Sequence, residues 1–586
     1  MQAGYSLTDE DNILKIISDF MKGKSGSPAM EIAKLSIEGE LPPEALTLPK
    51  LSSNYGDFAK EYPVVASRLS GCSLEHCLAI IGSMLTLPEL QSNAYRLEVL
   101  IHLAFLCAKG KARPSQAQIV AWFNQLDKGT CGQQEDAAED VFVSIASAKD
   151  GDYRLFQGNA EGNGFYTQLF LQILDGMPDN HFYQFLKAAV GSLLRISDEL
   201  VERTGLPVYS VGNTAPISSI GKPGDRLWSE LKQLSLFTFE ELARLGIDHN
   251  SLNPFIIRRN DVKHLSAYCP GHSPLDFKPI FQTKKGLIVY QPALIGTAIR
   301  HFLITSCIRE GMEESLHAAL ANAYTVHFAN ESFLGTSAPP LDMRRYDSFY
   351  ASQVVTEIDP GRYYHLIFFV DGFDDFENGG FIGPNPIDGI SNFVNKSVDH
   401  AHQTNSAKDG FREGVTFVIG CGWGRPLGLG LGEIPPSWRR EVIPAHDATT
   451  LSRTPSFQAL DLLRILDASD ALGRINIDII NANGFINLFA WIKGNNGHIF
   501  PHEKMDDDLF NASGHGFFNI PLNSQLRLRH TAYLSAGART LARPDGSIAR
   551  LRRAHGTPRY GTEDLSPFYA DITALEELVF RSVYIG

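Results

Sequence analysis

Apolar residues recur at intervals of three and four along residues 6–205, the spacing of one helix face. In SLTDEDNILKIISDFMKG, residues Ile13, Leu14, Ile16, Ile17 and Phe20 fall near one side; Ser6 or Thr8 can cap the start, and Gly23 stops the run. SLEHCLAIIGSML, YRLEVLIHLAFLCA, SQAQIVAWFNQL, FYTQLFLQILDGM and FYQFLKAAVGSLLRISDEL repeat the style, separated by short polar loops with Gly or Pro. Leu97 to Leu126 fits a helix-turn-helix as well as two ordinary packed helices, and pattern alone favours the packed pair. The stretch GLPVYSVGNTAPISSIGKPGD, rich in Gly, Pro and Ser, reads as an interdomain linker.

From Phe277 the period changes. PIFQTKKGLIVYQP predicts a hairpin turning at Lys284-Lys285-Gly286, and two helical stretches follow, 293–308 and 313–328. SQVVTEI and YHLIFFVDG predict strands. Leu366 to Val370 is apolar at five successive positions, which suits a central strand buried on both faces. IDGISNFVNKSVDHAHQ predicts a helix, GVTFVIGCGWG a strand, and WRREVIPAHDATTLSR a strand and a short helix. Such alternation implies a sheet covered by helices. The fold expected is a multi-domain α+β or α/β protein: a helical domain over 1–205, a linker and small helical segment over 206–276, a three-layer α/β core over 277–520, and an arginine-rich β-hairpin with the carboxy-terminal extension over 521–586.

Composition narrows the class. The 586 residues are enough for roughly three or four domains, and the 44 % hydrophobic and 20 % charged content is that of a globular protein. The first residues are polar and acidic, unlike a secretory leader, and no apolar run approaches the ~20 residues that cross a bilayer. Seven scattered cysteines without a CxxC pair point to a reduced cytoplasm. A net charge of -14 argues against a surface that coats nucleic acid as a whole.

Candidate chemistry lies in EIDPGRYYHLIFFVDGFDDFE. Glu357 and Asp359, two apart on a strand, share a face. Asp371 ends the next strand, with Asp374, Asp375 and Glu377 beyond it. Clustered hard oxygens are what Mg²⁺ requires, so Glu357, Asp359 and Asp371 are candidate ligands. Over about Glu313 to Arg453 the order of elements resembles the restriction-endonuclease-like superfamily, whose signature is PD-(D/E)XK. The resemblance matches Asp359 to the acid of the second core strand. Where the third strand should close on acid, apolar residue and lysine, this chain has Phe369, Val370 and Asp371. Some members supply the lysine from the following helix, a part open here to Lys396. The resemblance thus implies a nuclease-like core with Asp359, Asp371 and Lys396 as catalytic candidates, active with Mg²⁺ or degenerate and only binding. By analogy of fold it also implies bacterial genome defence or DNA processing.

Other patterns carry less. Gly221-Lys222 is not a phosphate loop, because Pro216 stands where its first glycine is needed and Pro223 follows the lysine instead of Ser or Thr. GCGWGRPLGLGLG after a strand departs from GxGxxG at Arg425, and its Cys421 could act as a nucleophile with His400 or His446. His498, His502 and Glu503 could form a loop zinc site, although Pro501 excludes a helical i, i+4 pair. Gln525 to Tyr560 carries eight arginines against the single acid Asp545, and RTLARPDGSIARLRR predicts a hairpin. Arg543, Arg550, Arg552 and Arg553 are candidate phosphate contacts. Two function classes follow: a protein that engages nucleic acid through a nuclease-like core, or a non-enzymatic scaffold whose helical half binds protein partners. No membrane partner is expected.

Overall fold

In the computed structural model the described residues are 58–86, 94–126, 143–156, 163–204, 234–261 except 260, 274–329, 341–373 except 347, 388–421, 437–453 and 457–474, with short strands at 385–386, 427–428, 477–480, 516–519, 540–542, 548–550, 552–553 and 560–561. The chain is mixed helix and sheet.

The amino-terminal helices are α1 (Pro63–Ser70), α2 (Leu74–Met84), α3 (Ala94–Cys107) and α4 (Gln116–Gln125). Leu97, Val99, Leu100, Ile101, Leu103 and Ala104 are all buried, as are Arg96, Glu98 and His102, so α3 is covered on every side and sits inside the core. Ser115 starts α4 with a capping box: its Oγ accepts from the Gln118 N–H at 3.2 Å, and its own N–H donates to Gln118 Oε1 at 2.8 Å. Ile119, Trp122 and Phe123 of α4 are buried, as two ordinary packed helices require.

This half is not wholly helical. Strands β1 (Val143–Ala148) and β2 (Gly151–Phe156) form an antiparallel hairpin around Lys149-Asp150. Asp150-Gly151 is a turn signal, but the six-residue strands lack clean alternation because Arg154 is buried in β2. Helices α5 (Asn163–Gly176) and α6 (His181–Thr204) follow, and Asp198 and Glu202 of α6 pair with Arg154 at 2.6 and 2.9 Å.

The stretch read as linker, 205–225, lies outside the described residues, but the rest of 206–276 contributes strands as well as the small helix expected there. It supplies β3 (Leu236–Thr238), α7 (Phe239–Arg244) and β4 (Ile256–Ile257). With β5 (Ile280–Gln282) and β6 (Gly286–Val289) they make a four-stranded sheet in the order β3-β6-β5-β4. The expected hairpin at Lys284-Lys285-Gly286 is its β5–β6 turn.

Helices α8 (Ile295–Arg309) and α9 (Glu313–Ala329) lead into the large sheet. Its strands are β7 (Arg344–Tyr346), β8 (Phe349–Asp359), β9 (Arg362–Val370), β11 (Glu413–Cys421) and β13 (Trp438–Pro444), in the order β13-β11-β9-β8-β7. Between them come the short strands β10 (Asn385–Pro386) and β12 (Leu427–Gly428) and the crossover helix α10 (Asp388–Ser406). Strand β8 runs antiparallel to β7 and β9, whereas β9, β11 and β13 are parallel. The run Leu366–Val370 is central and buried throughout.

Alternation splits β9 between two packing layers. Tyr364, Leu366, Phe368 and Val370 join the main apolar cluster, which runs from Phe58 to Leu466 and crosses the positions 205–277 at which the sequence suggests a boundary. Tyr363, Ile367 and Phe369 face α10, beside its Ile390, Val394, Val398 and Ala401. Helices α11 (Ala445–Arg453) and α12 (Ala459–Arg474) follow β13. Farther on, β14 (Ile477–Ile480) pairs with β15 (Gly516–Asn519), β16 (Thr540–Ala542) with β17 (Ile548–Arg550), and β18 (Arg552–Arg553) with β19 (Tyr560–Gly561). The antiparallel β16–β17 pair flanks Pro544-Asp545-Gly546, which lie outside the described residues.

Candidate functional site at the carboxyl edge of the large sheet

Strand direction separates the candidate carboxylates. Asp359 pairs with Arg362 at the start of β9, while Tyr350 pairs with Val370 at its end. Asp371 lies nine residue steps along β9 and its exit from Arg362, roughly 30 Å of strand. Glu357 and Asp359 therefore cannot share an ion with Asp371, which corrects the expected ligand set and the Asp359–Asp371 catalytic pair. The error lies in the hairpin: a residue at the carboxyl end of β8 must stand beside the amino end of β9.

At the hairpin edge the carboxylates serve the fold. Glu357 Oε1 accepts the Gly361 N–H at 2.9 Å and closes the turn, in which Gly361 has φ +77°. Asp359 lies 3.7 Å from Arg362, whose Nε is 3.0 Å from Glu413. Arg439 then bridges Glu413 at 2.8 Å and Asp467 at 2.7 Å. Charges of alternating sign thus cross β8, β9, β11, β13 and α12. Lys396 is exposed in the middle of α10, while its neighbours Ser397 and Val398 are buried. It stands on the outer side of the helix, and the four expected groups do not converge.

The opposite edge is where β9, β11 and β13 end together, with Cys421 beside Val370 and Gly420 beside Pro444. Asp371 leaves β9 here, buried, its Oδ1 accepting the Gly372 N–H at 2.9 Å. His317 of α9 lies over the same exit. Its Nε2 is 3.1 Å from the Val370 carbonyl oxygen, which can only accept, so Nε2 carries the proton. The His317 ring meets Tyr350 edge-on at 4.8 Å and Phe373 at 5.6 Å. The connections leaving β9 and β11 meet in turn, as β10 pairs in parallel with β12.

Beneath this edge lies a polar layer within the core. Tyr324 of α9 donates its hydroxyl to the Ile419 carbonyl at 3.1 Å. Arg300 of α8 donates to Thr297 Oγ1 at 3.1 Å and lies 5.3 Å over the Tyr166 ring. Burial pushes the Arg300 guanidinium down to about 10, while neighbouring Tyr166 and Cys421 act the other way. Cys421 is buried on this side with Phe417 and Ile419, whereas His400 is on α10 across the sheet. The expected Cys421–His400 pair is therefore not formed, and the His446 side chain lies outside the described residues.

Between the edges, a hydrogen-bonded chain crosses four strands. Trp438 Nε1 donates to Thr416 Oγ1 at 2.9 Å, Thr416 Oγ1 lies 3.0 Å from His365 Nδ1, and His365 Nε2 lies 2.9 Å from Gln353 Oε1. One tautomer satisfies it: neutral His365 accepts from Thr416 and donates to Gln353. Burial, aided by nearby His400, holds the His365 ring down to about 3.

Sequence reasoning passed over His317, Tyr324 and Arg300. His317 and Tyr324 are seven apart, so one helix face presents both, a signal open to the pattern that found α9. Arg300 falls within the helical stretch 293–308, where the pattern alone gives it no role. Arg543, His498, His502 and Glu503 lie outside the described residues. So do the side chains of Arg550, Arg552 and Arg553, although their backbones belong to β17 and β18. Among the described residues no three His, Cys, Asp or Glu side chains are grouped to hold a metal ion, and no helix is long and apolar enough to cross a membrane.

No curated protein and no solved structure matches the chain. Residues 44–586, nearly the whole length, match the family described as Anti-phage protein Upx-like, which carries a role in defence of bacteria against phage. The chain belongs to this Upx-like anti-phage family.

Proposed function

We propose that the chain acts in phage defence by engaging nucleic acid at the carboxyl edge of its large sheet. One observation carries this reading: three parallel strands joined by a helical crossover end together at Asp371, Cys421 and the start of α11. Open α/β sheets take their ligands in the crevice beyond such strand ends. The succession α9, β7, β8, β9, α10, β11, β13 also supports the resemblance to the restriction-endonuclease-like core.

Cleavage is the sharper form of the proposal. The described residues give this edge one carboxylate, Asp371, and Mg²⁺ needs several oxygen ligands. They do not by themselves fit the ion, so Mg²⁺ enters as the cation to vary in the assay. The test uses purified full-length protein on DNA and RNA, with Mg²⁺ or with chelator, alongside phage plaque counts. Asp371→Asn should lower protection by on the order of 100-fold or more if the group acts at the reacting centre. Asp359→Asn should leave it near wild type. The reverse result would remove the carboxyl edge as the site.

The hairpin edge favours a second reading, a non-enzymatic scaffold, because its carboxylates are held by arginines and a turn. Full protection by Asp371→Asn, with no nucleic acid bound or cut by wild type, would support it.

A further inference from the structure

The helical half carries a basic surface that stands out on an acidic chain of net charge -14. Lys109, Lys111 and Arg113 lie in the connection from α3 to α4, which contains no acid. Arg68 is near the end of α1, and Arg258 and Arg259 directly follow β4. All six are exposed, and none forms an ion pair with a described acid.

Backbone contacts draw the three segments together. The Ala112 N–H donates to Gly71 O at 3.0 Å and the Ser73 N–H to Ala112 O at 2.7 Å, so Ala112 bridges in parallel to Cys72. Gly110 lies flush on Gly71: a Cβ there would stand 2.0 Å from the Gly71 oxygen. The Arg259 guanidinium donates to the Ala108 carbonyl, and Cys72 Sγ lies 3.5 Å from the carbonyl oxygen of Arg68. The acids on these elements are few: Glu75 in the first turn of α2, Glu98, buried in α3, and Asp261, which accepts the Arg258 backbone N–H.

We infer that this surface binds the phosphate backbone of nucleic acid. Lys111 and Arg113 flank bridged Ala112, so extended backbone sets them on one side about 6.6 Å apart, a repeat suited to successive phosphates of one strand. The amino end of α4 adjoins them and adds the positive end of its dipole. Arginine and lysine without acid partners can exchange counterions for phosphates at little cost. A membrane surface would require several exposed apolar side chains beside the cations. Val64 is the one large apolar residue exposed on these elements.

The inference shares its ligand class with the proposal above but needs no cleavage. Its test is the affinity of full-length protein for a labelled DNA duplex, titrated against salt, in chelator. The variant is Lys109→Ala, Lys111→Ala and Arg113→Ala together, with Arg258→Ala as a second, independent change. The triple variant should bind roughly tenfold more weakly at 0.1 M salt, and its salt slope should fall by up to ~0.9 for each phosphate it no longer neutralises. Arg258→Ala should move both in the same direction by less. Unchanged slopes in both variants would overturn the inference, and so would loss of binding only to anionic phospholipid vesicles or to an acidic peptide. Asp371→Asn in the same assay separates the two proposals: lost protection with an intact slope concerns the sheet edge alone.

Discussion

The two edges of the large sheet carry the same kinds of residue under opposite rules. At the hairpin edge, Glu357, Asp359 and Glu413 meet Arg362, Arg439 and a turn amide, and each carboxylate has a structural partner. At the carboxyl edge, Asp371 is buried at a strand exit beside His317 and Tyr350, where three parallel strands end and two connections meet. Strand direction, not residue type, decides which edge can host a ligand. Parallel strands must leave the sheet by long connections from one side, so that side alone gains a crevice.

Acid should abolish the distinction altogether, and this is the largest effect expected. His102 and His301 are held down to about 4 and His365 to about 3, chiefly by burial. Unfolded histidines titrate near 6.5, so between about 6.5 and 4 the unfolded chain binds more protons. Stability is therefore full above pH 6.5 and falls as pH drops, by up to ~4 kcal/mol per unit where all three sites contribute. Thermal melting from pH 7.5 to 4.5 checks the sign; a melting temperature that rose on acidification would refute it. His365→Gln should flatten the fall.

The next effect belongs to the hairpin turn. Gly361 has φ +77°, and a Cβ there would lie 2.0 Å from the Gly410 carbonyl oxygen. Gly361→Ala should cost more than ~1 kcal/mol, seen as a lower melting temperature. At permissive temperature, phage protection should persist. If protection vanished while the protein remained folded, the hairpin edge would be functional after all.

Much of the core could be read from the chain because its signals were local. Five apolar residues in a row marked β9 as central, and the switch from period 3.6 to period 2 marked where the α/β region begins. What escaped was three-dimensional. The hairpin β1–β2 hid because Arg154 is buried by partners some 44 and 48 residues away, so its strand did not alternate. Strands β3 and β4, of three and two residues, are too short to show a period of two within the segment 206–276. Asp359 and Asp371 looked adjacent through a tight turn, yet the pairing register sends them to opposite edges. His317 is linked to Asp371 only through the packing of α9 on β9, which no spacing in the chain records.

The smallest effect sharpens the comparison most. Asp359 lies 3.7 Å from Arg362, and both side chains are about one-third exposed. Solvent screening leaves such a pair little net value, within ~0.5 kcal/mol. The stronger partner of Arg362 is Glu413 at 3.0 Å, which remains when Asp359 is neutralised. Asp359→Asn should therefore change neither melting temperature nor protection measurably. Glu413→Gln should lower stability by about 1 kcal/mol, because it loosens two arginines at 3.0 and 2.8 Å. A loss of protection in Asp359→Asn without a loss of stability would return the catalytic role to the hairpin edge, and the strand-direction rule would then fail for this sheet.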